Sequence, residues 1–238
     1  MEELQSLSAM KLPLLICIMS SGECFYCKLD LSSRCVKSQC FGTPGLPGAQ
    51  AEYVRVPLAD STIFKAPDGI KDQNLILMAD IFPYFAALNA VSRIPKNLPT
   101  ATTAVVIGCG PVGLCALVAL SSLLADTQFQ LFAVDSIPSR LARAQDLVGA
   151  VPVNFKEEDV AERVRQATGG RGYDKNVQLQ MGRCPVRSLF PKALEVLKEN
   201  QAKLECLTEN IIPLTEAVSA YERFNRAEVQ KFVFKVDE

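Results

Sequence analysis

Histidine is absent from all 238 residues. It is the commonest proton shuttle and the commonest zinc ligand, so imidazole chemistry of both kinds is excluded. An excess of one charge is missing too. Twenty-five Lys and Arg stand against 26 Asp and Glu, a formal net charge of −1, and no basic stripe runs along the chain. That balance argues against nucleic acid or an anionic membrane as a partner. The apolar run at residues 12–19 is too short to span a bilayer, which takes about 20 residues. It follows Lys11, so a start at Met10 would mimic a short signal peptide; the acidic Glu2-Glu3 pair argues against that. We read the run as a buried strand and expect a cytoplasmic protein. There is no internal repeat, no low-complexity segment, and no Tyr-x-x-x-Lys pairing to mark a tyrosine as an acid.

What remains is the composition of a globular protein, 49% hydrophobic and 21% charged. The length suits one large domain or two small ones, burying roughly 70–75% of the unfolded surface. Nine cysteines are an odd number, and a secreted disulfide framework suits a chain of this size badly. Five crowd between Cys17 and Cys40, a clustering that suggests a metal.

The most informative segment is Val105-Val106-Ile107-Gly108-Cys109-Gly110-Pro111-Val112-Gly113. It reads as strand, glycine turn and helix, the arrangement that seats a dinucleotide. Gly108 permits the tight turn, Gly110 lets a pyrophosphate approach the backbone, and Gly113 brings helix against strand. Pro111 and Val112 complete the loop at a helix N-terminus, whose N–H groups and positive dipole end favour phosphate. Asp135 follows Gly113 by 22 residues, near the interval of about 20 that the motif requires. Its carboxylate would accept from a ribose 2′-hydroxyl and repel a 2′-phosphate, favouring NAD over NADP. Arg140, in the helix opened by Pro138, joins the expected coenzyme site. The alternative is a βαβ unit whose glycines serve packing only.

Context supports the motif. Residues 103–107 and 129–134 are buried-strand runs flanking an apolar helix at 114–124. A third strand at 151–155 and a helix at 157–168 follow, ended by Gly169-Gly170-Arg171-Gly172. Upstream, residues 1–72 are rich in cysteine, glycine and proline, with a β-type run at 51–56. Residues 73–91 suggest a helix pair broken by Pro83. Downstream we expect a short strand at 176–181, and a helix at 188–200 preceded by Ser188 with Pro191 in its first turn. A helix at 215–224 and a closing strand at 231–236 complete the chain.

Gly22-Glu23-Cys24-Phe25-Tyr26-Cys27, Gly48-Ala49-Gln50-Ala51-Glu52-Tyr53-Val54-Arg55-Val56-Pro57, the glycine fingerprint and Thr168-Gly169-Gly170-Arg171-Gly172 occur in this order. Together they resemble the zinc-dependent medium-chain alcohol dehydrogenases, especially the threonine- and formaldehyde-dehydrogenase-like branch. The resemblance runs from about Ser20 to the C-terminus. It implies an α/β fold: a Rossmann-type parallel sheet, here incomplete, with the remnant of a GroES-like β-rich catalytic domain. The domains would be 1–72 (catalytic remnant with a cysteine-rich zinc lobe), 73–206 (coenzyme domain, shortened after 174) and 207–238 (returning to the catalytic domain). The implied chemistry is hydride transfer between an alcohol or aldehyde and NAD(P).

Relative to the family pattern, the leading segment with a Cys ligand and a Gly-His-Glu motif for catalytic zinc is missing. Only Asp80 matches a catalytic-zinc position, and one carboxylate cannot hold zinc; a helix-capping role is its alternative. Cys24, Cys27 and Cys35 match three ligands of the structural zinc site, while Ser21 stands where the first cysteine belongs. Cys17, Cys40 or water would complete the site; otherwise these are three reduced thiols. Tyr173-Asp174-Lys175 joins directly what the family separates by a strand, a helix and a strand. The expectation is an impaired oxidoreductase, or a non-catalytic nucleotide- or zinc-binding remnant, or an incomplete gene model. A homo-oligomer or association with an intact relative is the expected assembly.

Overall fold

The protein is described from a computed structural model covering residues 14–15, 18–79, 82, 87–88, 91–92, 101–172 and 185–236. The chain forms two compact units, one from residues 1–80 with 183–238, the other from 81–182. The expected short strand at 176–181 lies outside the described residues, as does part of the expected 73–91 helix pair, Pro83 included.

The first unit opens with short strands. β1 (Leu14–Leu15) pairs antiparallel with β4 (Ile63–Phe64), and β2 (Ile18–Met19) with β3 (Gln39–Cys40). Within the run at 12–19, the described pieces Leu14–Leu15 and Ile18–Met19 pair with two different partners. Residues 51–56 form no strand: they lie on the surface, with Tyr53 89% exposed. Strand propensity needs a neighbour to pack and bond against, and among the described residues this stretch has none. The helix Asp72–Leu75 tightens into a 3₁₀ turn, Ile76–Met78, burying Asn74, Leu75, Leu77 and Met78.

The second unit is the sheet. β5 (Thr102–Ile107), β6 (Phe129–Asp135) and β7 (Val151–Asn154) run parallel in that spatial order. Thr102 lies opposite Phe129 and Ile107 opposite Val134; Asp135 lies opposite Asn154. Phe132, Val134, Val153 and Val164 form a buried cluster, with Val105, Val151 and Val160 packed on it. The connecting helices are Pro111–Leu123, Pro138–Val148 and Val160–Ala167. The last begins later than the expected residue 157 because Asp159 caps it, accepting from the Glu162 N–H at 3.0 Å. Gly149, at φ +67°, closes the preceding helix in the left-handed conformation that suits glycine.

The chain then completes the first unit. Its 19-residue helix Val186–Leu204 starts before Ser188, and Pro191 sits inside it rather than in the first turn. The Ser188 hydroxyl does not cap the helix but donates to the Asp30 carbonyl at 3.1 Å. This helix lies in the range expected for the coenzyme domain, yet it packs within the first unit. Phe190 stacks on Phe64 with ring centroids 4.3 Å apart, and Arg187 Nε donates to the Ser61 carbonyl at 2.8 Å. Phe190, Ala193, Val196, Leu197, Asn200 and Leu204 form its buried face. β8 (Ile211–Pro213) then pairs parallel with β9 (Val233–Lys235), and the helix Ala217–Asn225 lies between them in sequence.

A buried polar contact adds to the hold within this unit. The hydroxyl of Thr208, 1% exposed, donates to Oδ1 of the fully buried Asn74 at 2.6 Å. Thr208→Val keeps the shape but strands that amide oxygen, at an expected cost of about 1–3 kcal/mol. Urea unfolding reads it directly; an unchanged midpoint would show the bond to be dispensable.

Candidate functional site

β5 ends in the glycine turn. The N–H of Gly108 donates to the Val134 carbonyl at 2.8 Å, carrying the β5–β6 ladder one step further. Gly108 sits at φ +91°, which a side chain would strain. The chain then enters the Pro111–Leu123 helix with Gly110 as its N-cap. A Cβ built on Gly113 would lie 1.7 Å from the Gly108 carbonyl oxygen, so helix and turn touch backbone to backbone. A Cβ on Gly110 would meet nothing within 4 Å. Gly113 is thus required by packing, whereas the space beside Gly110 is open. Gly110 offers no side-chain cap and Pro111 has no N–H, so the helix presents its first N–H groups without a side-chain acceptor. Ile107 and Val112 flank the turn, 81% and 53% exposed.

Asp135, at the end of β6, is 7% exposed and faces this turn. Its Oδ2 accepts from the Cys109 N–H at 2.7 Å, and Oδ1 accepts from the N–H groups of Ser136 and Ile137 at 2.7 and 3.0 Å. Arg140 Nη1 lies 3.9 Å from Oδ2. Burial works against the charge, but the N–H groups of Cys109, Ile137 and Ser136 and the Arg140 charge outweigh it. The carboxyl is held below its ordinary range. Two donors saturate Oδ1, while Oδ2 keeps one lone pair for a further donor. The spacing in sequence placed the acid near the turn; it gave no sign that the turn's own backbone is its first partner. Cys109, fully buried, has its thiol pushed up to about 11 by burial and by the Asp135 charge. It stays a neutral thiol.

The second constellation lies in the first unit. The sulfurs of Cys24, Cys27 and Cys35 all fall within 4.8 Å of one another. Cys24 caps the short helix Phe25–Lys28, and its Sγ lies 3.5 Å from that of Cys27. Ser21 stands beside them. Its N–H donates to Cys35 Sγ at 3.2 Å, and its Oγ lies 3.5 Å from Cys35 Sγ and 3.9 Å from Cys27 Sγ. The N–H of Cys27, first among several donors, lowers Cys24 to about 6, while burial raises Cys27. Burial also pushes Cys35 up, but the Ser21 hydroxyl and N–H more than offset it. Tetrahedral zinc at its usual bond length of about 2.3 Å to sulfur sets its ligands roughly 3.8 Å apart. The three thiols lie within 4.8 Å of one another, and Ser21 Oγ stands 3.5 and 3.9 Å from two of them, close to that span. Of the other expected donors, Cys40 is not in the group; it pairs with Ile18 across the β2–β3 strands, and its thiol donates to the Phe41 carbonyl at 3.5 Å. Cys17 and Asp80 lie outside the described residues.

No family model matches the chain. It is 46% identical to zinc-type alcohol dehydrogenase B of Aspergillus flavus over 267 residues, covering 92% of this chain and 61% of that one. It is 53% identical to the medium chain reductase/dehydrogenase ucsI of an Acremonium species over 164 residues, covering 67% and 55% respectively. The chain thus spans about three fifths of the length of these relatives. The Aspergillus match extends over more positions than the chain has residues, so that relative carries extra residues within the matched region. Among solved structures, alcohol dehydrogenase TADH from Thermus sp. ATN1 superposes with a TM-score of 0.79 at 25% identity, covering 94% of this chain and 79% of that one. With the parallel sheet, the glycine turn and the cysteine lobe in place, the chain belongs to the medium-chain dehydrogenase/reductase family, among the zinc-type alcohol dehydrogenases.

Proposed function

We propose that this chain binds a nicotinamide dinucleotide, NAD in preference to NADP, and that the family reaction it serves is hydride transfer between an alcohol and its aldehyde or ketone. The observation that carries this reading is the open space at Gly110, beside a helix N-terminus without a side-chain cap. Pyrophosphate would lie against Gly110, Pro111, Val112 and Gly113, drawn by the helix dipole and free N–H groups. The remaining lone pair of Asp135 Oδ2 would take the adenosine ribose hydroxyl, with Arg140 orienting the carboxylate. A 2′-phosphate would meet the Asp135 charge at short range. NAD, when bound, supplies the hydride acceptor. Zinc held by Cys24, Cys27, Cys35 and Ser21 would clamp the cysteine lobe.

Titration calorimetry tests the reading. NADH and ADP-ribose are expected to saturate the chain, with NADPH at least about tenfold weaker from one like-charge contact. No heat with either NADH or ADP-ribose, or equal binding of NADPH, would defeat it. Binding of the dinucleotide and turnover of an alcohol are distinct properties of such a chain. Following NAD reduction across a panel of primary and secondary alcohols, with and without zinc, separates the two.

A further inference from the structure

We infer that Ser21, Cys24, Cys27 and Cys35 form an exchangeable metal site whose metal-free state closes a Cys24–Cys27 disulfide, so that zinc and thiol oxidants compete for the same sulfurs. Two observations carry this, and neither depends on the coenzyme site. The first is Ser21. It fills the corner next to Cys35 and Cys27 with a hydroxyl, 3.5 and 3.9 Å from their sulfurs. A neutral hydroxyl is a poorer zinc donor than a thiolate, and closed structural sites rely on four fixed ligands. This site therefore keeps one weak position through which metal can leave.

The second observation is how the thiols are partnered. Ser21 engages Cys35 through both its N–H and its hydroxyl. Cys24 and Cys27 face each other in a C-x-x-C spacing with sulfurs 3.5 Å apart. A disulfide needs them at about 2.05 Å, a movement within reach of side-chain rotation. Cys24 is partly exposed and Cys27 only 5% exposed. An oxidant therefore meets Cys24 first, and Cys27 completes the bond from inside.

With a low-molecular-weight disulfide such as oxidised glutathione as oxidant, the steps balance. The Cys24 thiolate attacks one sulfur of the small disulfide; that S–S bond breaks and the other half departs as a thiolate. Cys27 then loses its proton to solvent and attacks the Cys24 sulfur, expelling the second half. Two protein thiols are oxidised, and one small disulfide is reduced to two thiols. While both sulfurs are committed to zinc their lone pairs are engaged, and attack is slowed until the metal leaves.

The full 238-residue chain, stripped of metal by a chelator or reloaded with zinc, is exposed to oxidised glutathione and its disulfides mapped by peptide mass spectrometry. The metal-free chain is expected to gain a Cys24–Cys27 bond, and one equivalent of zinc to slow this by about tenfold or more. Cys27→Ser is expected to stop at a mixed disulfide on Cys24. Ser21→Cys should hold zinc at a chelator concentration that strips the natural chain. A bond to Cys35 instead, no bond at all, a rate indifferent to zinc, or a Ser21→Cys chain that gives up zinc as readily would each overturn the inference. Should Ser21→Cys fail to fold, the natural chain with and without zinc decides alone.

Discussion

Gly110→Ala is expected to leave the protein folded and remove its nucleotide, while Gly113→Ala, three residues on, is expected to break the turn itself. The two glycines differ in what a methyl group would meet. At Gly110 the backbone sits at φ −74°, open to any residue, and the added carbon touches nothing. The cost is that of alanine at a helix N-cap, about 0.5–1 kcal/mol. The methyl nevertheless occupies the space a pyrophosphate needs, so NADH affinity is expected to fall by well over tenfold. At Gly113 the methyl would overlap the Gly108 carbonyl oxygen at 1.7 Å. No rotamer relieves a clash with backbone, so helix and strand must part, at about 3 kcal/mol or more. Urea unfolding and NADH titration on both variants give the answer. If Gly110→Ala binds as the natural chain does, the turn is a packing device and the coenzyme reading is lost.

That contrast also marks where the sequence is legible. In the sheet unit the signals are local: β-branched apolar runs bounded by glycine and proline. β5, β6 and β7 accordingly lie within a residue or so of where the pattern predicts them. In the other unit the deciding partners are distant. The 51–56 run has the composition of a strand but, among the described residues, no strand beside it, and the described pieces of the 12–19 run pair with distant strands, Leu14 with Phe64 and Ile18 with Cys40. Pro191 looks like a helix start, yet burial of Phe190 against Phe64 and the Arg187 bond to Ser61 extend the helix ahead of it. Within the sites, residue type was readable and partnership was not. A serine among cysteines is visible at Ser21, but its grip on Cys35 is a three-dimensional fact. Likewise the acid at 135 is visible, and its bond to Cys109, 26 residues away, is not.

Asp135 is where the second large effect is expected. Removing its carboxylate in Asp135→Ala leaves the buried Cys109 N–H without an acceptor and takes two more bonds from Ser136 and Ile137. Bonds to a charged acceptor are among the stronger ones. The expected loss is about 2–4 kcal/mol, together with nucleotide binding. Asp135→Asn separates the two roles of shape and charge. Its amide can still accept from part of this N–H set, but it turns a donor toward the rest. The pH dependence then isolates the charge. Because the folded chain holds this carboxyl below the unfolded value of about 3.9, its stabilisation is present above that value and drains away as pH falls through the folded one. The natural chain should therefore lose urea resistance on acidification below about pH 4 more steeply than Asp135→Asn does. Midpoints that fall in parallel for the two chains would mean that the turn is held by shape alone, and that Asp135 carries no charge-dependent hold on the loop it faces.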